Sequence, residues 1–391
     1  MIRQPILVIA DDLTGAAEIA ALGHLRGLRT AILLDLNTAW PTTAELIVID
    51  SNSRHDSPEL AATKLQRLAA QVPTALRAHV FKKVDSVFRG QIAAETEALA
   101  AGLGRKAILL CPCNPSRGRC IVNGRYLIDG TPLTQTSFAT DPQHPAHSDQ
   151  VVLLLSHAQL PLRAHPAEEA ARAHLDAGIH IASAQNNSEI KAWVRRIDGS
   201  VLPAGGADFF DAFLSELGLV ETVPALGCEL SGAHLLLSGS LAPAGINFRN
   251  ALADTGTPVV RLPIQQKDLK ALDLCIENLL SSLAREGRAV AATSETAVSG
   301  LEMENWLNTC FSRTASQSHA RQGFNHLLAE GGSTAVLAAA ALDWRSFTVA
   351  GVWAGGVVTL SPDGAPSKRF TLKPGSYHWP RQLRQLLGSQ T

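Results

Sequence analysis

Ile6-Leu7-Val8-Ile9-Ala10-Asp11-Asp12-Leu13-Thr14-Gly15 is the stretch that decides the fold. Five consecutive apolar residues predict a short strand covered on both faces, as in a parallel sheet. Two aspartates end the run, and the Ala-rich segment Ala16–Leu25 then predicts a helix stopping near Gly27. Apolar runs at Thr30–Leu34 and Leu46–Asp50 repeat the strand signal. Short apolar runs separated by helix-length segments predict α/β architecture with helices over a parallel sheet.

The pattern continues outward. Ser57-Pro58-Glu59 opens a helix, with a capping Ser, a Pro at the first helical position and an acid in the first turn. Strands are expected at His79–Val84 and Ala107–Cys111, with a helix at about Gln91–Leu103 between them. In Cys120–Ile128, Asn123-Gly124 lies between two apolar runs and predicts a β-hairpin. Asp129–Pro145 reads as a long ordered loop beside it. Pro224, Gly227 and Gly232 mark a boundary, giving expected domains 1–222 and 230–391. Strand signals restart at His234–Leu237, Val259–Leu262, Ala289–Ala292 and Asn325–Ala329, and Phe347–Leu360 with Lys368–Leu372 read as closing strands. The expectation is two α/β domains with mostly parallel sheets, a hairpin insertion in the first and an active-site cleft between them.

Composition narrows the function. Lys and Arg total 34 against 35 Asp and Glu, and only 18% of the 391 residues are charged, so no basic footprint for nucleic acid or a membrane surface exists. The longest apolar runs, such as Val151–Leu155 and Ala335–Leu342, fall far short of a membrane span. A soluble, cytoplasmic chain without nucleic-acid or membrane partners is expected. The six cysteines are scattered, and Cys111-Pro112-Cys113 with Cys120 lacks zinc-ligand spacing, so they read as buried thiols. HExxH, GxSxG and GxxxxGK[ST] are all missing from the sequence. The 13 histidines, among them His24, His79 and His144, read as surface or satisfied core residues.

Chemistry-bearing residues gather at the ends of the apolar runs, where open α/β sheets bind ligands. Asp11 and Asp12 stand where a dinucleotide site would need a Gly-rich turn. One aspartate would read as a helix cap, but a pair after a buried strand points to hydroxyls or a cation. Arg54, one of Lys82 and Lys83, and Arg89 are placed to meet an anion, since strand alternation sends the two lysines to opposite faces. Arg117 and Arg119, beside the hairpin, read as surface. In the second half, Ser238-Gly239-Ser240, Gly331-Gly332-Ser333-Thr334, Gly355-Gly356 and Lys373-Pro374-Gly375-Ser376 mark Gly-rich strand ends suited to phosphate.

Ala10–Ala16, Asp50–Arg54 with Ser57-Pro58-Glu59, Lys82–Gly90, Val122-Asn123-Gly124, Asp129–Leu133 and Asp141-Pro142-Gln143-His144-Pro145 resemble the four-carbon acid sugar kinase family. Ser238-Gly239-Ser240, Gly331–Thr334 and Leu372–Gly375 extend the resemblance over nearly the whole chain. It departs from the family pattern at Ser333, where an acid is usual, at Val87-Phe88, Leu241-Ala242 and Gly355-Gly356, and at His378. The resemblance implies an ATP-dependent kinase with an acid-sugar-binding first domain and a nucleotide-binding second domain. By motif position, Asp12 and Asp85 would be catalytic, and Asp11, Arg54, Lys83 and Arg89 would bind the substrate. Ser240, Gly331, Gly332, Ser333, Thr334 and Gly375 would contact ATP, with Mg²⁺ bridging its phosphates and no dedicated protein metal site. The acceptor would be the terminal hydroxyl of threonate, erythronate or a 3-oxo-tetronate, and a homodimer is left open. A non-catalytic sugar-acid-binding protein on the same fold is the second reading. A nicotinamide oxidoreductase is disfavoured by the aspartate turn.

Overall fold

Ile6–Ala10 forms strand β1 with all five residues buried, and fully burying side chains such as Leu7 or Ile9 contributes about 1.5–3 kcal/mol each. The computed structural model describes residues 4–34, 38–141, 144–240, 243–293, 301–321, 323–353, 356–375 and 377–388. Contacts divide the chain into two units, Met1–Val223 and Pro224–Thr391. Leu241-Ala242, Gly355, Ser376 and Pro142-Gln143 of the motifs above lie outside the described residues.

In the first unit, β1 is followed by α1 (Leu13–Leu25), β2 (Thr30–Leu33), β3 (Leu46–Asp50), α2 (Pro58–Gln71), β4 (His79–Lys83), α3 (Ile92–Leu103) and β5 (Ala107–Cys111). The hairpin strands β6 (Arg119–Val122) and β7 (Arg125–Ile128) pair with a short β8 (Thr131–Pro132). Then come α4 (Val151–Leu154), β9 (Leu162–His165), β10 (Gly178–Ala182), α5 (Asn187–Val194), β11 (Val201–Gly205) and α6 (Ala207–Glu216). The sheet order is β2-β3-β1-β4-β11-β5-β10-β9, parallel throughout. The chain first leaves β1 toward β3 and β2, then crosses to β4. The strand order therefore reverses between β1 and β4, which creates a crevice beyond their carboxyl ends.

Two of the expected elements differ in detail. Helix α1 starts at Leu13 rather than Ala16, because the Asp12 side chain caps it by accepting the Gly15 amide. Within the segment expected to be a long ordered loop, Asp129–Pro145, the described residues include the two-residue β8 and two 3₁₀ turns, Leu133–Gln135 and Ser137–Thr140. The hairpin turn is as expected, with Asn123 and Gly124 both at positive φ (49° and 73°), the conformation that a two-residue turn requires.

The second unit contains β12 (His234–Ser238), α7 (Pro243–Asp254), β13 (Val259–Arg261), α8 (Leu269–Glu286), β14 (Arg288–Ala292), α9 (Leu301–Ala320), β15 (His326–Glu330) and α10 (Gly332–Ala341). Strands β16 (Ser346–Trp353), β17 (Val357–Pro362) and β18 (Arg369–Lys373) and helix α11 (Arg381–Leu386) complete it. Strands β13-β14-β12-β15-β18 run parallel, and β17 and β16 continue antiparallel. Leu236, Leu252, Val290, Leu328, Trp353, Trp379 and Leu383 form its core. Of the cysteines, Cys111, Cys113 and Cys310 are buried as expected, whereas Cys120, Cys228 and Cys275 are half-buried, and all six are free thiols. Among the described residues, no helix is long and apolar enough to cross a membrane.

Candidate active site

The crevice between β1 and β4 gathers five of the six first-unit candidates into one charge cluster. Asp11 and Asp12 leave the end of β1. Arg54, on the loop after β3, donates from Nε to Asp11 Oδ2 and from Nη2 to Asp12 Oδ1, each at 2.7 Å. Its Nη2 also lies 3.6 Å from Asp85 Oδ1. Asp85, on the loop after β4, accepts Arg89 Nε at 3.0 Å and Arg89 Nη2 at 2.8 Å. The same carboxylate takes the backbone amides of Val87 and Arg89. Asp12 completes the turn by accepting from the Thr14 hydroxyl.

Lys83 is the sixth. It is buried, donates to the Val84 carbonyl at 3.0 Å and stands 3.5 Å from Glu18 Oε2 on α1. A Cβ at Gly15 would come within 3.3 Å of its Nζ, so this glycine lets the ammonium reach the Asp12 turn. Lys82 points the other way and pairs with Glu95 of α3 at 2.7 Å, both fully buried. Glu95 also accepts from Ser53 at 2.6 Å. The strand alternation read from the sequence is therefore realised, with α1 and α3 on opposite faces of β4.

Charge pairing sets the protonation states. Burial alone would raise the Asp85 carboxyl, but Arg89 and Arg54 outweigh it and hold the group well below the usual carboxylate range. Asp11 is lowered in the same way, with burial overcome by Arg54 and Lys82. Asp50, at the end of β3, goes the other way: burial and then the Asp12 charge push it up to about 7, against an amide hydrogen bond from Asn52. Among the described residues, Asp11 Oδ1 is buried without a hydrogen-bond partner.

Some contributors were not selected from sequence. Asp141 Oδ2 lies 3.7 Å from Arg89 Nη1. His55 Nδ1 and His144 Nε2 are 3.0 Å apart with stacked rings, so His144 is neither an isolated surface group nor a core residue. Burial lowers both imidazoles and favours their neutral forms. Arg119, read as surface, donates to the Ser86 hydroxyl, and Arg117 Nε stands 4.0 Å from Glu18. Phe88 holds φ at +63°, a conformation that costs a bulky residue about 1–3 kcal/mol.

In the second unit, Ser238, Glu330 and Lys373 end the neighbouring strands β12, β15 and β18 in register. Glu330 accepts from Ser238 and lies 2.9 Å from Lys373 Nζ and 3.8 Å from Arg249 Nη1. Lys373 also donates to the carbonyls of Pro374 and Tyr377 at 2.9 and 2.6 Å. These residues, none chosen as ligand contacts from the sequence, pin the loops that carry the chosen ones. Arg249 donates to the Ser240 carbonyl, and a Cβ at Gly375 would approach Ser240 Oγ to 3.2 Å. Gly331 turns at φ +97°, and Gly332, Ser333 and Thr334 form the first turn of α10, where backbone amides are free of helical partners. Ser333 is exposed and Thr334 buried. Glu330 is the nearest acid to Ser333 along the chain, but its pairing with Lys373 commits it to the loop. Among the described residues, no group of three or more His, Cys, Asp or Glu is placed to hold a metal ion.

The fold is that of an α/β protein, and residues 6–190 of its first unit match the family described as "Sugar-binding N-terminal domain". The chain is similar to a D-threonate kinase of Salmonella typhimurium, 32% identical over 152 residues, which cover 39% of this chain and 36% of the relative. It is also similar to a 3-oxo-tetronate kinase of Brucella melitensis, 26% identical over 406 residues and covering 95% and 92% of the two chains. The match to the D-threonate kinase thus takes in only about a third of that relative's length. A solved protein from Salmonella typhimurium LT2 shares the fold with a TM-score of 0.80 at 21% identity, covering 95% of this chain and 96% of that one. The family match covers residues 6–190 of the 391, and the relatives that the chain resembles bear the names of kinases for D-threonate and 3-oxo-tetronate.

Proposed function

We propose that the protein transfers the γ-phosphoryl group of ATP to the terminal hydroxyl of a four-carbon sugar acid: threonate, erythronate or a 3-oxo-tetronate. The observation that carries the reading is the buried, unpartnered Asp11 Oδ1 beside the Asp12–Arg54 pair. A buried acceptor without a donor is costly, and a substrate hydroxyl supplies the donor. Asp12 orients the reacting hydroxyl and takes its proton. The hydroxyl oxygen forms the new P–O bond while the bond between the β,γ-bridging oxygen and the γ-phosphorus breaks and ADP leaves. Asp85, saturated by Arg89 and two amides, holds Arg89 in place rather than accepting the proton. Arg54 is likewise committed to Asp11 and Asp12; Arg89, held by Asp85 through Nε and Nη2, and Lys83 meet the substrate carboxylate.

On the nucleotide side, the amides of Gly332, Ser333 and Thr334 receive phosphate, with Ser240 and Gly375 flanking them, while Gly331 shapes the turn and gives its own amide to the Lys373 carbonyl. Mg²⁺ bound to ATP would neutralise the charge of its phosphates, and no protein ligand is assigned to it. The names borne by the relatives support this assignment, and a cytoplasmic setting supplies ATP. The test is ADP release by the purified protein with Mg-ATP and each sugar acid in turn. Turnover on at least one acid is expected, and a folded protein inactive on all of them overturns the reading. The second reading, a sugar-acid binder without catalysis, is favoured by one feature: Ser333 stands where the family usually places an acid. It requires thermal stabilisation by a sugar acid and none by ATP.

A further inference from the structure

The β6–β7 hairpin is the feature of the first unit that the proposed phosphoryl transfer does not use. It forms a fixed base, tied at its turn as well as along its strands: the Tyr126 amide donates to the Asp149 carbonyl at 2.7 Å, Val151 N to Gly124 O at 3.0 Å, and Ile121 N to Ala184 O at 3.3 Å. From this base, two side chains converge on one residue of the Asp85–Gly90 loop. The Tyr126 hydroxyl donates to the Ser86 carbonyl, and Arg119 donates to the Ser86 hydroxyl. The Tyr126 ring also meets Phe88 edge-on, with centroids 5.3 Å apart and planes at 84°.

Tyr126 is fully buried, and burial raises its phenol well above the ordinary value, so it remains a protonated donor. Its two contacts flank the strained step of the loop, since Phe88 has positive φ and the amides on either side of it, Val87 and Arg89, are tied to Asp85. Phe88 also lines a cavity of about 380 Å³ with His144, His147 and Ser148. The ring therefore has space to enter once its partner releases it, and the strained turn has a route to relax. A residue held at positive φ beside open space keeps that conformation only while its surroundings enforce it.

We propose that Tyr126 is a positioning residue: through the Ser86 carbonyl and the edge of Phe88 it holds the Asp85–Gly90 loop in the conformation that presents Arg89 to the sugar acid. The proposal rests on the reading of Arg89 as a substrate contact. The hairpin is then a brace for the site rather than an appendage. Arg119 is the second strap, acting on the same residue from the neighbouring strand.

The test uses the full chain carrying Tyr126→Phe, which keeps the ring and removes only the donor. Amide hydrogen exchange should rise about tenfold at Val87 and Arg89, the scale of one lost hydrogen bond, while β1 and β4 exchange as in the unsubstituted protein. KM for the sugar acid should rise by a similar factor, with KM for ATP unchanged. Unchanged exchange at residues 85–90, or an equal rise throughout the first unit, overturns the proposal, because a merely structural tyrosine gives the second pattern. If Tyr126→Phe does not fold, Arg119→Gln should produce the same local rise, and its absence is equally decisive. If the unsubstituted protein phosphorylates no sugar acid, the kinase reading fails on its own, while the exchange data still decide whether the loop is braced.

Discussion

Arg54→Ala separates a charge clamp from a simple anion receptor. The guanidinium is 8% exposed and contacts Asp11 and Asp12 at 2.7 Å and Asp85 at 3.6 Å. Removing it leaves buried carboxylates without their shared counter-charge, a change that costs about 3–5 kcal/mol at neutral pH. For a unit of this size, each kcal/mol lowers the melting temperature by roughly 2–4 °C, so the first unit should lose roughly 6–20 °C. The pH dependence has a definite sign. Asp85 and Asp11 are depressed in the folded protein, so their stabilisation is present above the unfolded carboxyl pKa of about 3.9 and is lost as pH falls through their folded values. Without Arg54 the carboxyls rise, and their protonation in acid relieves the penalty. Calorimetric unfolding at pH 7.5 and pH 4.5 checks this: the variant's deficit should be large at the first and much smaller at the second. A deficit below about 1 kcal/mol at pH 7.5, or one equal at both pH values, would refute the clamp.

Other substitutions probe the neighbouring groups. Lys82→Met strands Glu95 in the interior and should cost about 3–5 kcal/mol, whereas the double variant Lys82→Met/Glu95→Leu should recover most of the loss in urea unfolding. Asp50 at about 7 binds a proton that the unfolded chain releases near 3.9, so stability should fall by about 4 kcal/mol as pH rises from about 4 to about 7. Asp50→Asn should remove that slope, as read from denaturation midpoints across the range. Gly331→Ala has open space around it but must hold φ near +97°, so it should destabilise the second unit by about 1–3 kcal/mol and raise KM for ATP with KM for the sugar acid unchanged.

Strands β1, β3 and β4 were legible because each is a short apolar run ended by charge, and the aspartate and arginine motifs of the first unit fall at those ends. Strands β9, β10 and β11 were not. The exposed pair Arg163 and Ala164 places β9 on the sheet edge, where no apolar run is needed. Strand β11 carries Pro203 and Gly205 in a central position, a composition that argues against a strand. It is tolerated because pairing with β4 begins only at Ala204 opposite Lys82, beyond the proline that lacks an amide hydrogen. The site was readable as a set of residues but not as a circuit. That Arg54 is bound by the aspartates follows from loops folding toward one crevice, and the His55–His144 pair joins positions 89 residues apart. In the second unit, Glu330 and Arg249 were hidden within strand and helix signals, and Lys373 was read only as part of a Gly-rich motif, while the glycines beside them drew the reading.

The two consecutive lysines of β4 give that strand a polarity mark. Lys82 is complementary only to Glu95 on one side of the sheet, and Lys83 meets Glu18 on the other. A slip of one residue would exchange the faces of both ammonium groups, seating one lysine in the other's place and carrying the second two residues' height away from the carboxylate on its new side. Apolar strands of similar composition could exchange neighbours at little cost, but this one cannot. The pair fixes the alignment of the central strand, and with it the height at which Asp85 and Arg89 emerge beside Asp11 and Asp12.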